Sequence, residues 1–276
     1  MDKVNEVRKV QTKILDIMKY IDKLCRTYHI KYYIMGGTAL GAIRHKGFIP
    51  WDDDLDIFMT PNQYKRFKKV FQYLNSEKYV IQEWKTDLNY LEYAKVRMNG
   101  TTFIEEAFEQ CADLHQGIYV DIMILHKVPE SHFIQKLVYF ESKFVTLYAL
   151  SLRNWKAKTL EQKIMVKSLK FLPCKFILRL CYRRIYQYDY LKNNFKYCYW
   201  ITPAKFENGL FEKEFFQGTI DVPFEDTVLM ASPNIKRYLR YRYGDYMKLP
   251  PVEERKTAVH AKFFDVDKDY REYIKP

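Results

Sequence analysis

Apolar residues recur every three or four positions at the start of the chain: Val4, Val7, Val10, Ile14, Ile17, Ile21 and Leu24. That spacing keeps one helix face apolar and predicts an amphipathic helix to about Tyr28. "KYYIM" then reads as a short strand stopped by Gly36-Gly37, and "TALGAIRH" as a helix with Thr38 at its N-cap. "LDIFM" reads as a buried strand. "TPNQ" (60–63) opens a helix that carries Tyr64, Phe67, Phe71 and Leu74, with Thr60 as cap and Pro61 in the first position. Strand patterns follow in "YVIQEW" (79–84), "LEYAKVRM" (91–98), "GTTFIE" after a turn at Asn99-Gly100, and "GIYVDIMIL" (117–125). Residues 130–200 read as mostly helical. "SPNIKRYLRYRYG" reads as a helix capped by Ser232, with Pro233 in its first turn and Gly244 as its stop. No repeat and no linker interrupts this order, so the expected class is α/β (α+β) in one compact unit. Its parts are a core over 1–128, a helical insertion over 129–205 and a C-terminal part over 206–276 that completes the core.

Composition sharpens this picture in two places. Apolar residues make up 48% and charged residues 29% of the 276, which is globular and excludes a disordered chain. The net charge of +12 is concentrated: 131–200 holds 14 Lys/Arg against 3 Asp/Glu. A local basic patch points to an anionic partner. The five cysteines form no C-x-x-C pair, which predicts free thiols in a reducing compartment, with no disulfide partner and no zinc site. "MDKVNEVRKVQTK" lacks the apolar core of a signal peptide, and "FVTLYALSL" (144–152) is short of the roughly 20 residues that span a bilayer. The expectation is a cytoplasmic protein that can lie on the inner face of a membrane.

"GFIPWDDDLDIFM" (47–59) places Asp52, Asp53, Asp54 and Asp56 directly before an apolar run. Crowded carboxylates repel one another, and burial makes that worse. Either they point into water or something positive sits among them. On a strand, residues two apart share a face, so Asp54 and Asp56 point together while Leu55 and Ile57 oppose them. Asp121 lies mid-strand among apolar residues. If the two strands are neighbours, three carboxylates converge, and a divalent ion resolves the repulsion. All-oxygen ligands suit Mg²⁺, with Mn²⁺ as the alternative. Gly36-Gly37 lets backbone N–H groups approach a phosphate at a helix start; Thr38 adds a hydroxyl, and Arg44 and Lys46 add positive charge. Lys95 and Arg97, two apart on one strand, are either phosphate ligands or solvated edge charges. Singly, a Gly-Gly is most often a turn, an acidic cluster is most often solvated, and Asp121 could cap a neighbouring turn. Together they follow the order used by the nucleotidyltransferase fold.

The stretch "YIMGGTALGAIRHKGFIPWDDDLDIFM" closely resembles the LicD family, which includes bacterial phosphocholine transferases and, more distantly, fukutin-related proteins. "YAKVRMNGTTFIE", "GIYVDIMIL" and "YLRYRYGDYMKLPPVEER" extend the match over most of the chain. The resemblance implies a nucleotidyltransferase-like core with a mixed sheet. It implies transfer of a phospho-alcohol group, phosphocholine first and ribitol or glycerol phosphate as alternatives. The donor would be CDP-activated and the acceptor a hydroxyl of a lipid-linked or polymeric glycan (teichoic acid, capsule or lipopolysaccharide), with release of CMP. Metal ligands of the family fall on Asp54, Asp56 and Asp121, and Asp52 belongs to the same motif. Trp51 and His260 are supporting candidates, although family members often carry paired histidines where "KTAVHAKFF" has one.

In that scheme Gly36, Gly37, Thr38, Lys95 and Arg97 bind donor phosphates. Arg44 stabilises the transferring phosphoryl group, and Asp121 is either a metal ligand or the base that takes the acceptor's proton. A choline group needs aromatic faces, and Trp51, Phe103, Phe108, Tyr119 and the cluster 197–200 all offer them. The basic stretch reads either as a platform on an anionic leaflet, helped by Tyr139, Phe140, Phe144, Tyr148 and Trp155, or as a solvated face. Two rivals share some features. One is a nucleotidyltransferase that uses an NTP. The other is a nucleic-acid binder, which has no need of the strand aspartates; no nucleic-acid partner is expected.

Overall fold

The computed structural model describes residues 2–83, 93–109, 111, 113–153, 159–161, 164, 168–169, 175–191, 196–202, 206–255 and 259–274. The chain opens with α1 (Asp2–Thr27), whose Val7, Val10, Ile14, Ile17, Ile21 and Leu24 are buried as the periodicity requires, while Val4 stays exposed. It ends where His29 takes a left-handed conformation and Ile30 N–H closes on the Cys25 carbonyl at 2.8 Å. After β1 (Tyr33–Ile34) comes α2 (Gly36–His45), then β2 (Asp56–Met59) and α3 (Pro61–Leu74). Next are β3 (Tyr79–Gln82), β4 (Ala94–Met98), β5 (Thr102–Glu105) and β6 (Tyr119–Ile124).

Five of these strands form one mixed sheet in the order β1-β2-β6-β4-β3. β2 and β6 run parallel; the other neighbours are antiparallel. Alternation gives the sheet two unlike faces. Ile57, Val96, Val120 and Ile122 are fully buried on the face that packs against α1 and α3. Asp56, Lys95, Arg97 and Asp121 share the other face. Each fully buried large apolar side chain is worth about 1.5–3 kcal/mol, so the first face anchors the second.

The remaining elements build around this sheet. β7 (His126–Lys127) leads to α4 (His132–Ser151), α5 (Lys175–Gln187) and β8 (Lys196–Cys198), and β9 (Leu210–Glu212) completes a small sheet β7-β8-β9. α4 and α5 pack on each other around a second apolar cluster that includes Val138, Val145, Leu178, Ile185 and Trp200. The hairpin β10 (Ile220–Phe224) and β11 (Thr227–Ala231) lies against α1, α2 and β1. Three ion pairs tie α1 to it: Arg8–Glu225, Lys19–Asp226 and Arg26–Asp221. Last come α6 (Ile235–Tyr243) and β12 (Ala261–Asp265), which pairs antiparallel with β5.

The α/β class with a mixed sheet is therefore as expected, and several local expectations need correction. α2 begins at Gly36, not after a Gly-Gly turn, and Met35 occupies its cap position. Thr38 lies inside the helix, where its hydroxyl has another task. α6 starts at Ile235 with Asn234 at the cap; Ser232 Oγ instead accepts the Asn234 N–H at 3.0 Å in the preceding turn. Thr60 holds the cap position of α3 but makes no side-chain cap bond. The strands β9 to β12 were not anticipated; β12 pairs with distant β5, whereas β10 and β11 pair with each other across a tight turn at Glu225-Asp226. Cys25, Cys111, Cys181 and Cys198 are buried thiols in no disulfide; Cys174 and Trp155 lie outside the described residues. Among the described residues no helix is long and apolar enough to cross a membrane.

Candidate active site

Three neighbouring strands place three charges in one row. Asp56 opens β2 and pairs in register with Asp121 of β6; on its other side Asp121 pairs with Lys95 of β4. Lys95 Nζ closes on Asp121 Oδ1 at 2.8 Å, and both side chains are almost wholly buried. Asp52, Asp53 and Asp54 occupy the connection just before β2.

The N-terminus of α2 meets this row. A Cβ on Gly36 would stand 3.5 Å from Asp56 Oδ2; one on Gly37 would stand 2.8 Å from Asp52 Oδ2 and 3.9 Å from Asp54 Oδ1. A side chain at 37 would collide with Asp52, and Gly36 has φ +58°, where other residues are strained. The glycines thus let the positive end of a helix approach three carboxylates. Thr38 Oγ1 accepts the Asp56 backbone N–H at 2.8 Å, which fixes where β2 begins relative to α2.

Asp53 faces the opposite way. It is buried, and both its oxygens are engaged by His260: one by the backbone N–H at 2.7 Å, the other by the ring Nδ1. This bond, with help from burial-opposed attraction to Asp54 and Asp52, raises the His260 pKa to about 9. The crowded aspartates therefore take the second of the two solutions open to them, in two forms. Three face a helix terminus, and one is paired with an imidazolium.

The three that face α2 remain electrostatically frustrated. Burial, then repulsion from Asp52, Asp121 and Asp53, pushes Asp54 up to about 7. Burial and the neighbouring Asp54 and Asp121 charges push Asp56 well above the usual carboxylate range. Asp52 is raised by burial and Asp53. Asp121 is raised by burial despite the counteracting Lys95. Glu105 adds to this: it lies on β5, its charge bears on Asp121, and its Oε2 is buried with no hydrogen-bond partner. Protonation or a cation would relieve the strain. Among the described residues no three His, Cys, Asp or Glu side chains already stand as a metal cage. The donor set is all oxygen, and Lys95 holds one oxygen of Asp121. That fits an ion bound through one or two carboxylates and completed by substrate phosphate and water, the usual habit of Mg²⁺.

Lys95 and Arg97 are not edge charges. Both are buried on the second-to-last strand of the sheet. Lys95 Nζ also lies 3.3 Å from the centre of the Tyr119 ring. Arg97 donates to Gln82 Oε1 and, at 2.7 Å, to the Gly117 carbonyl, so its guanidinium is held within the sheet.

Arg44 is not brought to the aspartates. It sits eight residues along α2 from Gly36, about 12 Å, and donates to the Tyr246 carbonyl at 3.1 Å and to His45 Nε2 at 2.9 Å. It thereby holds the "YGDYMKLPP" stretch. Trp51 packs edge-on against His45 and under Arg255. Lys46 is exposed in the left-handed turn that ends α2. Phe103 packs edge-on against Tyr119, and Phe108 belongs to a small separate cluster. Tyr238, which the sequence reading missed, accepts the Gly36 N–H at 3.0 Å through its hydroxyl and so locks α6 onto the start of α2.

Residues 29–154 match the family model described as LicD/FKTN/FKRP, nucleotidyltransferase domain. The chain is 32% identical over 261 residues to the lipopolysaccharide cholinephosphotransferase LicD of Haemophilus influenzae, covering 91% of this chain and 94% of that protein. It is also 29% identical over 131 residues to an uncharacterised protein of Rickettsia prowazekii, covering 48% of this chain. A match of this identity over nearly the whole of both chains, with the glycine and aspartate motifs inside the matched region, shows that the chain belongs to the LicD family.

Proposed function

We propose that this protein transfers a phosphocholine group from CDP-choline to a hydroxyl of a cell-surface glycan precursor, with release of CMP. The observation that carries the reading is the row Asp56–Asp121–Lys95 against the glycine start of α2, in a chain 32% identical to a lipopolysaccharide cholinephosphotransferase. In this reading the core is nucleotidyltransferase-like, and residues 206–276 complete it. Asp54 and Asp56 hold Mg²⁺, with Asp121 beside them. Bound there, the ion would neutralise donor phosphate charge and favour departure of CMP. Gly37 and the N-terminal amides of α2 face the donor phosphates. Lys95 favours the charged form of Asp121 against the effect of burial and adds positive charge at the phosphoryl group. Arg97 and Arg44 act as positioning residues, the first within the sheet and the second on the C-terminal stretch.

The acceptor oxygen attacks the phosphorus that bears choline, the bond from that phosphorus to the CMP oxygen breaks, and the acceptor's proton passes to a nearby carboxylate. Asp121 is engaged by Lys95 at one oxygen, which leaves the other, or Glu105, as proton acceptor.

The glycan acceptor is presented at an anionic membrane surface. α5 buries Leu178, Cys181, Tyr182 and Ile185 and turns Phe176, Ile177 and Leu180 outward among Arg179, Arg183 and Arg184. Arg184 reaches Glu141 of α4 at 3.1 Å, next to Phe140, which is 69% exposed. Apolar side chains among cations suit an acidic bilayer interface. Of the aromatics expected there, Phe140 faces outward, while Tyr148 is buried and Tyr139 and Phe144 are half-buried.

The test is CMP release from CDP-choline, CDP-ribitol, CDP-glycerol and CDP-ethanolamine with Mg²⁺, for the protein and for Asp54→Asn. CMP from CDP-choline alone, lost in the variant, supports the reading. CMP from CDP-ribitol or CDP-glycerol instead moves the donor. Pyrophosphate from an NTP, with no CMP from any CDP-alcohol, overturns it.

A further inference from the structure

The end of α2 farthest from the aspartates carries a second group of charges. Arg44 Nε donates to His45 Nε2 at 2.9 Å, His45 packs edge-on against Trp51 at 5.9 Å, and the Arg255 guanidinium stands 5.6 Å from the centre of the Trp51 ring. All four side chains are half-buried. Burial, and then the charge of Arg255, lowers the Arg44 pKa, so two guanidinium groups are held close enough to repel. Among the described residues neither has a carboxylate partner. Arg44 Nη1 donates to the Tyr246 and Lys248 carbonyls, and Arg255 Nε donates to the Pro250 carbonyl at 2.8 Å. Arg44 Nη2 and both terminal nitrogens of Arg255 make no hydrogen bond to the described residues. Repelling cations with unused N–H groups suit a phosphate, which guanidinium groups grip with paired hydrogen bonds.

The phosphates of the donor belong elsewhere. They share a bridging oxygen and lie together at the Gly36 end, about 12 Å away along α2. The base, ribose and alcohol of a CDP-alcohol carry no negative charge. A second anion at Arg44 and Arg255 therefore comes from the acceptor. α6 joins the two places. Its Tyr238 accepts the Gly36 N–H at 3.0 Å. Burial raises the Tyr243 pKa, Arg242 opposes it, and the charges of Asp56 and Asp52 add to it; Tyr243 in turn bears on Arg44. Tyr243 thus lies between the aspartates and the guanidinium pair. The exposed side of α6 adds Lys236, Arg240 and Tyr241, and residues 236–248 hold five Lys/Arg against one acid. Cations and tyrosine rings along this route match an anionic chain of sugars.

We propose that Arg44 and Arg255 bind a phosphate of the glycan acceptor, which makes the acceptor a phosphate-bearing glycan laid along α6. The proposal rests on the transferase reading above. The experiment measures binding of maltotetraose 1-phosphate and of plain maltotetraose by calorimetry, to the protein and to Arg255→Gln and Arg240→Gln. Inorganic phosphate, a single-stranded oligonucleotide and phosphatidylglycerol vesicles are tried as competitors. Each variant is melted, and CMP release from CDP-alcohols is assayed alongside.

The expected result is that plain maltotetraose binds roughly tenfold or more weakly than its phosphate, and that Arg255→Gln loses roughly tenfold in affinity for the phosphate, the worth of a charge-assisted hydrogen bond. Arg240→Gln loses less. Equal binding of the two sugars overturns the proposal, as does Arg255→Gln melting normally and binding as its parent does. Inorganic phosphate competing at equal concentration would leave a bare anion hole. Displacement by the oligonucleotide or the vesicles at equal charge would assign the surface to another partner. Either overturns the proposal. If Arg255→Gln does not fold, the unaltered protein decides through its ratio for the two sugars. If no CDP-alcohol yields CMP, the transferase reading fails, and calorimetry alone still shows whether the guanidinium pair takes a sugar phosphate.

Discussion

Asp56 and Asp121 stand opposite one another in register across the parallel strands β2 and β6, and Lys95 meets Asp121 from the far side at 2.8 Å. One buried carboxylate of this facing pair therefore carries its own counter-ion, and the other does not. Removing the counter-ion strands a charge. Lys95→Met is expected to destabilise the fold by about 3–5 kcal/mol, because an uncompensated buried charge costs that much. Lys95→Met with Asp121→Asn is expected to recover most of that stability without recovering activity. Urea denaturation of the single and double variants checks this; additive losses would show that the two groups are not coupled.

Asp54 lacks a counter-ion too, and it crowds Asp52 and Asp121. Asp54→Asn keeps the shape and removes the repulsion. The metal-free variant is expected to melt above the unaltered protein, while CMP release falls by roughly 10²–10³-fold. Calorimetry beside a CMP assay reads both. A variant less stable than its parent would mean that repulsion at this site is not a cost to folding.

The same crowding sets a pH dependence. A carboxyl whose folded pKa exceeds its unfolded value favours the folded state when protonated. Its contribution is whole below about pH 4 and is lost as pH rises through the folded value, about 7 for Asp54. Metal-free protein is thus expected to lose melting temperature between pH 4 and 7 in excess of Asp54→Asn. Added Mg²⁺, which binds the charged form, reverses the loss at the upper end of that range. Melting curves in chelator and in Mg²⁺ across this window measure it.

His260 works in a different window. Its folded pKa of about 9 lies above the ordinary value of 6.5, so its pairing with Asp53 contributes fully below pH 6.5 and is lost as pH rises through 9. His260→Ala is expected to remove that alkaline transition and to make the β12 region a faster target for limited proteolysis. A cleavage pattern identical to the parent's at pH 7 would show that the pair does not hold the C-terminal strand.

For the outward face of α5, Phe176→Asp with Leu180→Asp is expected to weaken co-sedimentation with phosphatidylglycerol vesicles by about tenfold or more and to leave thermal stability within about 0.5 kcal/mol. Binding to phosphatidylcholine vesicles is expected to be weak for both proteins. Equal binding to the two lipids would remove the electrostatic part of the argument.

Much of this site could be read from spacing alone. The apolar runs after Asp54 and around Asp121 mark two strands, and period two puts their aspartates on one face. That β2 and β6 are neighbours could only be posed as a condition, because strand order depends on contacts 65 residues apart in sequence. For Lys95 and Arg97 the spacing left two readings open, and burial removes the edge-charge one. A K-V-R pattern looks like a half-solvated strand, and only the burial of Asp121, Gln82 and Gly117 beside it turns both cations inward. Arg44 follows the Gly36-Gly37 start of α2 and invited a phosphate role, yet eight residues of helix carry it more than two turns beyond that end. Asp53 gave no sign of its partner, since His260 lies 207 positions away. Ser232 was read as a cap because it precedes proline, and the same hydroxyl closes the turn one step earlier.

The start of the chain is finished by its end. α1 is clamped to the β10–β11 hairpin, Gly36 to Tyr238, and Asp53 to His260. A ribosome adding about 5–20 residues per second releases the aspartate loop on the order of ten seconds or more before those partners emerge. Through that interval the nascent protein shows an apolar helix face and a knot of unanswered charge. Holding factors that shield it, or slower growth at low temperature, should therefore govern how much folded protein a cell recovers.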